Sequence, residues 1–212
     1  MGPWLILLLG LLYVVLFGGL SLLRREPLSL RFAGESLAFT ALIYLIYGIS
    51  GFMLHPVLFI VLLYVLTMRA QLLIDLGNMA ARTGQWSLAR RLYDAGAAIS
   101  ISEAGRCAAR INTGACFLKE GRLAEAIRVL ADLMESVEKG RMGPKHEAAC
   151  RYNLGLALMR SGKSAEAVHQ FNEVIDLLPG SIYAIGAGAE LKRYRKALAE
   201  RPEQESKTNA ES

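Results

Sequence analysis

Residues 1–73 contain very little charge: their only charged residues are Arg24, Arg25, Glu26, Arg31, Glu35 and Arg69. All other charged residues of the chain come later. Long apolar runs exclude a purely soluble protein, and the charged remainder excludes a pure bundle of membrane spans. The sequence therefore predicts a membrane anchor over residues 1–73 and a soluble helical domain over 74–200. The polar residues 201–212 are expected to be disordered.

The chain also lacks the patterns that disulfide frameworks, metal sites and active sites require. Cys107, Cys116 and Cys150 cannot all pair within one chain and form no Cys-x-x-Cys motif, so we expect buried thiols in a reducing compartment. The run from His146 through Glu147 to Cys150 lacks the second His of a zinc helix, and there is no Gly-rich phosphate loop. We expect no enzymatic activity, cofactor or metal. Basic and acidic residues are interspersed, which argues against a nucleic-acid partner.

Three membrane spans are predicted, over about 3–23, 36–52 and 55–73. The uncharged run from Pro3 to Leu23 is long enough to cross a hydrocarbon core of about 30 Å. The next apolar stretch, Leu37–Met68, would be about 48 Å long as one helix, which favours two spans. A cluster of Gly, Ser, His and Pro residues between 48 and 56 supplies the break. A count of two spans remains an alternative.

The positive charges predict the orientation of these spans. Arg24, Arg25 and Arg31 follow the first run, so its C-terminal end is expected in the cytoplasm. Three spans then return the chain to the cytoplasm, whereas two leave it outside. Arg69 follows the last span, which favours a cytoplasmic helical domain. His55, next to the predicted reversal, is expected at the water interface without a chemical role.

Small residues recur at matching places in three stretches with a helical pattern, Leu76–Ala98, Thr113–Leu133 and Leu154–Gly180. The repeated positions are Gly77, Gly84 and Ala89, then Gly114, Gly121 and Ala126, then Gly155, Gly162 and Ala167, followed by Pro179. The interval from the first copy to the second is similar to the interval from the second to the third. Such a period predicts stacked helix pairs, with a turn at the second Gly and a close helix contact at the Ala.

These offsets resemble the tetratricopeptide repeat family, whose units carry Leu-Gly, a turn Gly, a packing Ala, an aromatic residue and a terminal Pro. The resemblance implies an α-solenoid of about three helix pairs with a capping helix over 181–200. Together with the predicted N-terminal transmembrane helices, this gives an all-α fold. Both intervals between copies exceed the family period of about 34 residues, which implies longer second helices or loops.

The resemblance also implies a concave surface that is lined by the first helix of each pair and holds a peptide. Its lining would include Asn78, Arg110, Asn112, Lys119, Arg151, Tyr152 and Asn153. Asn78 and Asn112 match two asparagines of the family's clamp for a C-terminal carboxylate. The lysines and arginine of that clamp would fall on Ile74, Ala149 and Asn153, so the clamp is incomplete.

The expected function is that of a membrane-anchored adaptor or scaffold. We expect protein or peptide partners for the repeats and membrane lipid around the spans, in the inner membrane of a bacterium, with the repeats in the cytoplasm. The sequence makes no prediction about the oligomeric state. Two alternatives share this outline: an extracytoplasmic assembly chaperone with two spans, similar to a cytochrome c maturation component, and a subunit of an exopolysaccharide export complex.

Overall fold

The computed structural model describes residues 4–23, 30–51, 54–100, 102–138 and 142–210, with side chains for 4–19, 30–51, 54–100, 102–134 and 142–200. These residues form α-helices and no β-strand, which confirms the all-α prediction. The helices are α1 (Trp4–Leu23), α2 (Leu30–Ser50), α3 (Pro56–Arg82), α4 (Trp86–Ile99), α5 (Glu103–Lys119), α6 (Leu123–Glu138), α7 (Pro144–Arg160), α8 (Ser164–Leu177) and α9 (Ile182–Ala210).

The apolar bundle consists of α1, α2 and residues 56–68 of α3. Tyr13 contacts Phe32 of α2 and hydrogen-bonds Thr67 of α3, with 2.6 Å between their oxygens. Phe59 and Leu63 are fully buried in its centre. Most other large apolar side chains of the bundle are exposed, so the bundle presents an apolar exterior. Two of its helices, Leu30–Ser50 and Pro56–Arg82, are long and apolar enough to cross a membrane, and Trp4–Gly19 is a shorter apolar helix.

Close packing between α1 and α2 depends on small residues. A Cβ atom at Gly10 would lie 2.3 Å from the hydroxyl oxygen of Thr40, so only glycine permits this approach. Ser36 and Thr40 are buried, and their hydroxyls donate to backbone carbonyls one turn earlier on α2. Small residues at helix contacts and internally satisfied hydroxyls are typical of helices that pack within a bilayer.

The helix α3 runs without a break from the apolar bundle into the repeats. His55 caps its N-terminus by accepting a hydrogen bond from the backbone N–H of Val57, and Pro56 occupies the first turn. The predicted domain boundary at 73 therefore lies inside a helix of 27 residues. Likewise, α2 begins at Leu30, whereas the predicted second span begins at residue 36. The three-span count stays a prediction, and Arg24 and Arg25 lie outside the described residues.

Three helix pairs follow in an α-solenoid: unit 1 joins the C-terminal part of α3 to α4, unit 2 joins α5 to α6, and unit 3 joins α7 to α8. In each unit a first-helix glycine contacts a large second-helix side chain, and an added Cβ would lie 2.6 Å from that side chain: the pairs are Gly77–Tyr93, Gly114–Leu130 and Gly155–Phe171. Ala89, Ala126 and Ala167 are fully buried. The turns use Gly84, Gly121 and Gly162 at φ of 76°, 77° and 83°, a region that favours glycine.

The last helix, α9, closes the end of the stack. Ala184, Ala187 and Leu191 are buried against unit 3. This arrangement agrees with the capping helix expected over 181–200. The helix continues to Ala210, into the segment for which the sequence predicts disorder, and that expectation stays a prediction.

Candidate functional site

The first helices of the units lie side by side, with α5 between α3 and α7. Asn78 of α3 and Asn112 of α5 meet on this side, where the Asn112 amide donates to the Asn78 side-chain oxygen at 3.2 Å. The Tyr93 hydroxyl donates to the same oxygen at 2.8 Å. Burial raises the pKa of Tyr93 to about 12, so the phenol remains a neutral donor at physiological pH. These contacts tie α3, α4 and α5 together.

Arg110 and Arg151 instead join the two helices within a unit. Arg110 lies 3.8 Å from a carboxylate oxygen of Asp132 on α6, and Arg151 lies 3.9 Å from Glu173 on α8. The offset along the chain from arginine to acidic partner is the same in both pairs, so they occupy equivalent places in units 2 and 3. Arg151 is also paired with Glu147 at 2.8 Å, and its side chain is only 15% exposed. Both arginines are engaged at the seam between first and second helices.

Tyr152 and Asn153 have mainly intramolecular contacts as well. The Tyr152 ring lies between Phe171 and Tyr183, at centroid distances of 6.2 and 6.0 Å. It also closely approaches Gly186, which joins unit 3 to α9. Asn153 donates to the carbonyl of Ala149, one turn earlier on its own helix, at 2.8 Å. Tyr152 therefore packs the stack, whereas half-buried Asn153 keeps a side-chain oxygen available.

Lys119 belongs to a row of three exposed cations, Arg82, Lys119 and Arg160, which we call the basic edge. Each lies five residues after the packing glycine of its unit, in the last turn of α3, α5 or α7. Arg160 donates to the carbonyl of Leu118 at 3.3 Å and so bridges the ends of α5 and α7. Sequence reasoning missed Arg82 and Arg160, although their constant offset from Gly77 and Gly155 could have identified them.

A second cluster fixes units 1 and 2 relative to each other. The guanidinium groups of Arg90 and Arg122 lie over the Phe117 ring, at 4.8 and 4.6 Å from its centroid. Both arginines pair with Glu120, at the end of α5. Cation–π contacts and a largely buried ion pair therefore link α4 of unit 1 to the C-terminal end of α5 in unit 2.

Two of the three places that a carboxylate clamp would fill with cations hold apolar side chains, and the third holds Asn153. Ile74 and Ala149 are 4% and 7% exposed and belong to the core. These two places therefore offer no cation to a terminal carboxylate. Cys107, Cys116 and Cys150 are buried and free, and burial raises the pKa of Cys150 to about 12. Among the residues that the structure describes, no three His, Cys, Asp or Glu side chains are grouped to hold a metal ion.

A comparison with protein-family models identifies the repeats in units 2 and 3. Residues 105–179 match the family model described as tetratricopeptide repeat. These residues are tetratricopeptide repeats. The match covers most of α5 and all of α6, α7 and α8, while unit 1 has the same glycine contact and turn geometry outside it.

Tetratricopeptide repeats mediate protein–protein binding and are typically non-catalytic, so the domain indicates an adaptor or scaffold. No curated protein and no solved structure shows significant similarity to the chain. The family match therefore gives the kind of domain, and the arrangement of side chains must indicate the kind of partner.

Proposed function

We propose that this chain is a membrane-anchored adaptor whose tetratricopeptide repeats hold an acidic segment of a partner protein at the cytoplasmic face of a bacterial inner membrane. The observation that carries the proposal is the basic edge. Arg82, Lys119 and Arg160 are exposed at equivalent places on three adjacent helices. An extended peptide that crosses the first helices would meet one cation per unit.

The neighbouring polar groups suit an extended peptide. Asn78, Asn112 and Asn153 are half-buried on first helices, one or two residues from a packing glycine. Amide side chains can both donate to and accept from a peptide backbone, while the cations attract acidic side chains or a terminal carboxylate. Affinity would come from several hydrogen bonds in a row, each contributing about 0.5–1.5 kcal/mol, and more where a charge takes part.

Anchoring is supported by the apolar bundle. The exposed side chains of α2 and the first half of α3 are nearly all apolar, and both helices have the length and composition of membrane spans. Arg69 of α3 forms an ion pair with Glu35 of α2 at 2.8 Å, and this pair lies close to the repeats. Charged residues at a span end are typical of the water interface.

The direction of the helices supports the proposed orientation. Gly10 lies against Thr40 and Tyr13 against Phe32, so α1 and α2 are antiparallel. Phe39 lies against Phe59 and Glu35 against Arg69, so α2 and α3 are antiparallel as well. Among the described residues, Arg31 at the start of α2 and Arg69, just after the bundle part of α3, lie at the end that leads into the repeats. An excess of basic residues marks the cytoplasmic side, which favours repeats in the cytoplasm.

Photo-crosslinking with matched charge variants tests the basic edge. A photoreactive residue at Lys119 in the membrane-bound chain should capture a partner, and Arg82→Ala with Arg160→Ala should lower that yield at least about tenfold, because hydrogen bonds to charged groups contribute about 1.5–3 kcal/mol each. The control, Arg91→Ala with Arg128→Ala, removes the same charge from exposed positions on α4 and α6 and should keep the yield.

The alternative explanation is that the basic edge only stabilises the C-terminal dipoles of the first helices. In that case both double variants give the same cross-linked product in equal yield, or the probe at Lys119 captures nothing. Either result contradicts the proposed site.

A further inference from the structure

One face of α3 exposes apolar side chains along nearly its whole length. The first half of α3 also exposes Val57, Ile60, Val61 and Tyr64, but the line of exposed apolar residues that continues past Arg69 is the one we call the exposed stripe. It consists of Leu58, Leu62, Val65, Leu72, Leu76 and Met79, which are 38–64% exposed. Counted together with Arg69, these positions are spaced alternately by four and three residues. This is the heptad spacing of a helix that packs lengthwise against another helix.

The repeat stack shows that the upper part of this stripe is a stacking surface without its neighbour. The residues at the places of Leu72, Leu76 and Met79 are Ala109, Thr113 and Cys116 in unit 2, and Cys150, Leu154 and Ala157 in unit 3. All six are at most 7% exposed, because the preceding unit covers them. Unit 1 has no preceding unit, yet it carries large apolar residues at these places.

We propose that two copies of this chain pair through their exposed stripes, with the two α3 helices parallel. The parallel orientation rests on the proposed membrane anchoring, because chains inserted in the same direction have their α3 helices pointing the same way. A two-fold axis along the helices then brings each stripe residue close to the same residue of the other copy.

Lipid alone does not account for the whole stripe. Leu72, Leu76 and Met79 lie beyond the Arg69–Glu35 ion pair, and exposed Asp75 and Arg82 flank them, so this part faces water. A soluble partner could cover that part but not Leu58, Leu62 and Val65. The α3 helix of a second copy would run from the lipid part to the water part, as the stripe does, and could therefore cover the whole stripe.

Arg69 gives the pairing its register. It occupies the one polar place in the heptad pattern, and its guanidinium forms contacts of 2.8 and 3.2 Å with the two carboxylate oxygens of Glu35 in the same chain. Its charge is therefore compensated before a second copy arrives. A single polar residue in a helix seam is known to specify register.

Disulfide cross-linking of the full-length chain in membranes tests the pairing. We expect Leu76→Cys, under a mild oxidant, to give a product of twice the 23.2 kDa chain mass, since a disulfide requires Cα atoms within about 7 Å. Gln71→Cys is the control. Gln71 is exposed on the same helix, but it lies about 140° around the helix axis from Leu76 and so faces away from the stripe. Its dimer yield should be at least about tenfold lower. The three native cysteines are buried and provide a low background.

A second variant pair separates pairing from chance collision. Leu76→Glu with Met79→Glu should abolish the dimer in detergent while preserving helix content, because both side chains are exposed. Equal yields at positions 71 and 76, no product at 76, or a product containing a different protein would each overturn the proposal. These results do not depend on partner capture at the basic edge, so either proposal can fail alone.

Discussion

Replacing Ala126 by tryptophan is expected to destabilise the repeat domain strongly. Ala126 is fully buried where Leu118 of α5 and Ala157 of α7 meet, at the contact between units 2 and 3. Overfilling a packed site costs about 1–3 kcal/mol, and sometimes more, and an indole here needs both units to separate. Since each kcal/mol lowers the melting temperature of a domain this size by about 2–4 °C, a fall of several degrees or a lost transition is expected.

The matched control is Ala124→Trp. Ala124 lies on the same helix but is exposed, so the added ring extends into water and the melting temperature should stay within about 2 °C of the parent, as surface substitutions usually change stability by less than about 0.5 kcal/mol. Thermal unfolding followed by circular dichroism measures both variants. If the two variants melt at the same temperature, Ala126 is not at an inter-unit contact and the stacking described above is wrong.

The second large effect is expected from Gln71→Pro, because α3 joins the apolar bundle to unit 1 without a break. Gln71 is exposed, so no packing is lost, but proline removes a backbone hydrogen bond and clashes with the preceding turn. The cost in a helix interior is about 3 kcal/mol or more. We expect unit 1 to become locally unstable and the two parts of the chain to move independently.

Amide hydrogen exchange measures this effect residue by residue. Faster exchange is expected on both sides of position 71, from Thr67 to Asp75, while α7 and α8 remain protected. Gln71→Ala removes the same side-chain contact with Asp75 but keeps the backbone, so it should exchange like the parent. Protection in the proline variant equal to that in the alanine variant would show that α3 is not continuous there.

The helix pairs could be predicted from the sequence because their determinants are local. Gly84, Gly121 and Gly162 mark left-handed turns, and each packing glycine precedes its large partner by the same interval, as Gly77 precedes Tyr93. The boundary at 73 could not be predicted in the same way. A change from apolar to polar composition indicates a change from lipid to water around the chain. It does not indicate the end of a helix, and α3 runs unbroken from Pro56 to Arg82.

The candidate site was harder to predict because residue type does not reveal which side of a helix a side chain occupies. Arg110 and Arg151 suit a peptide groove by chemistry, but the sequence did not indicate that each lies within 4 Å of an acidic residue on the second helix of its unit. Their part in a groove stays a prediction. The exposed stripe was not recognised because Leu72 and Leu76 look like ordinary core residues. Only comparison with Ala109 and Thr113, their buried equivalents in unit 2, shows that they lack a neighbour.

The central claim, that the apolar bundle anchors the repeats at the cytoplasmic face, is tested most directly by topology reporters. A reporter that is active only in the cytoplasm should be active when fused after Glu26 or after Glu200, and inactive when fused after Gly51. A reporter that is active only outside the cytoplasm should give the opposite pattern. The reason is that three spans, with Arg31 and Arg69 on the cytoplasmic side, place Glu26 and Glu200 inside and Gly51 outside. Activity of the exported reporter after Glu200 would contradict the account and favour two spans with an extracytoplasmic chaperone.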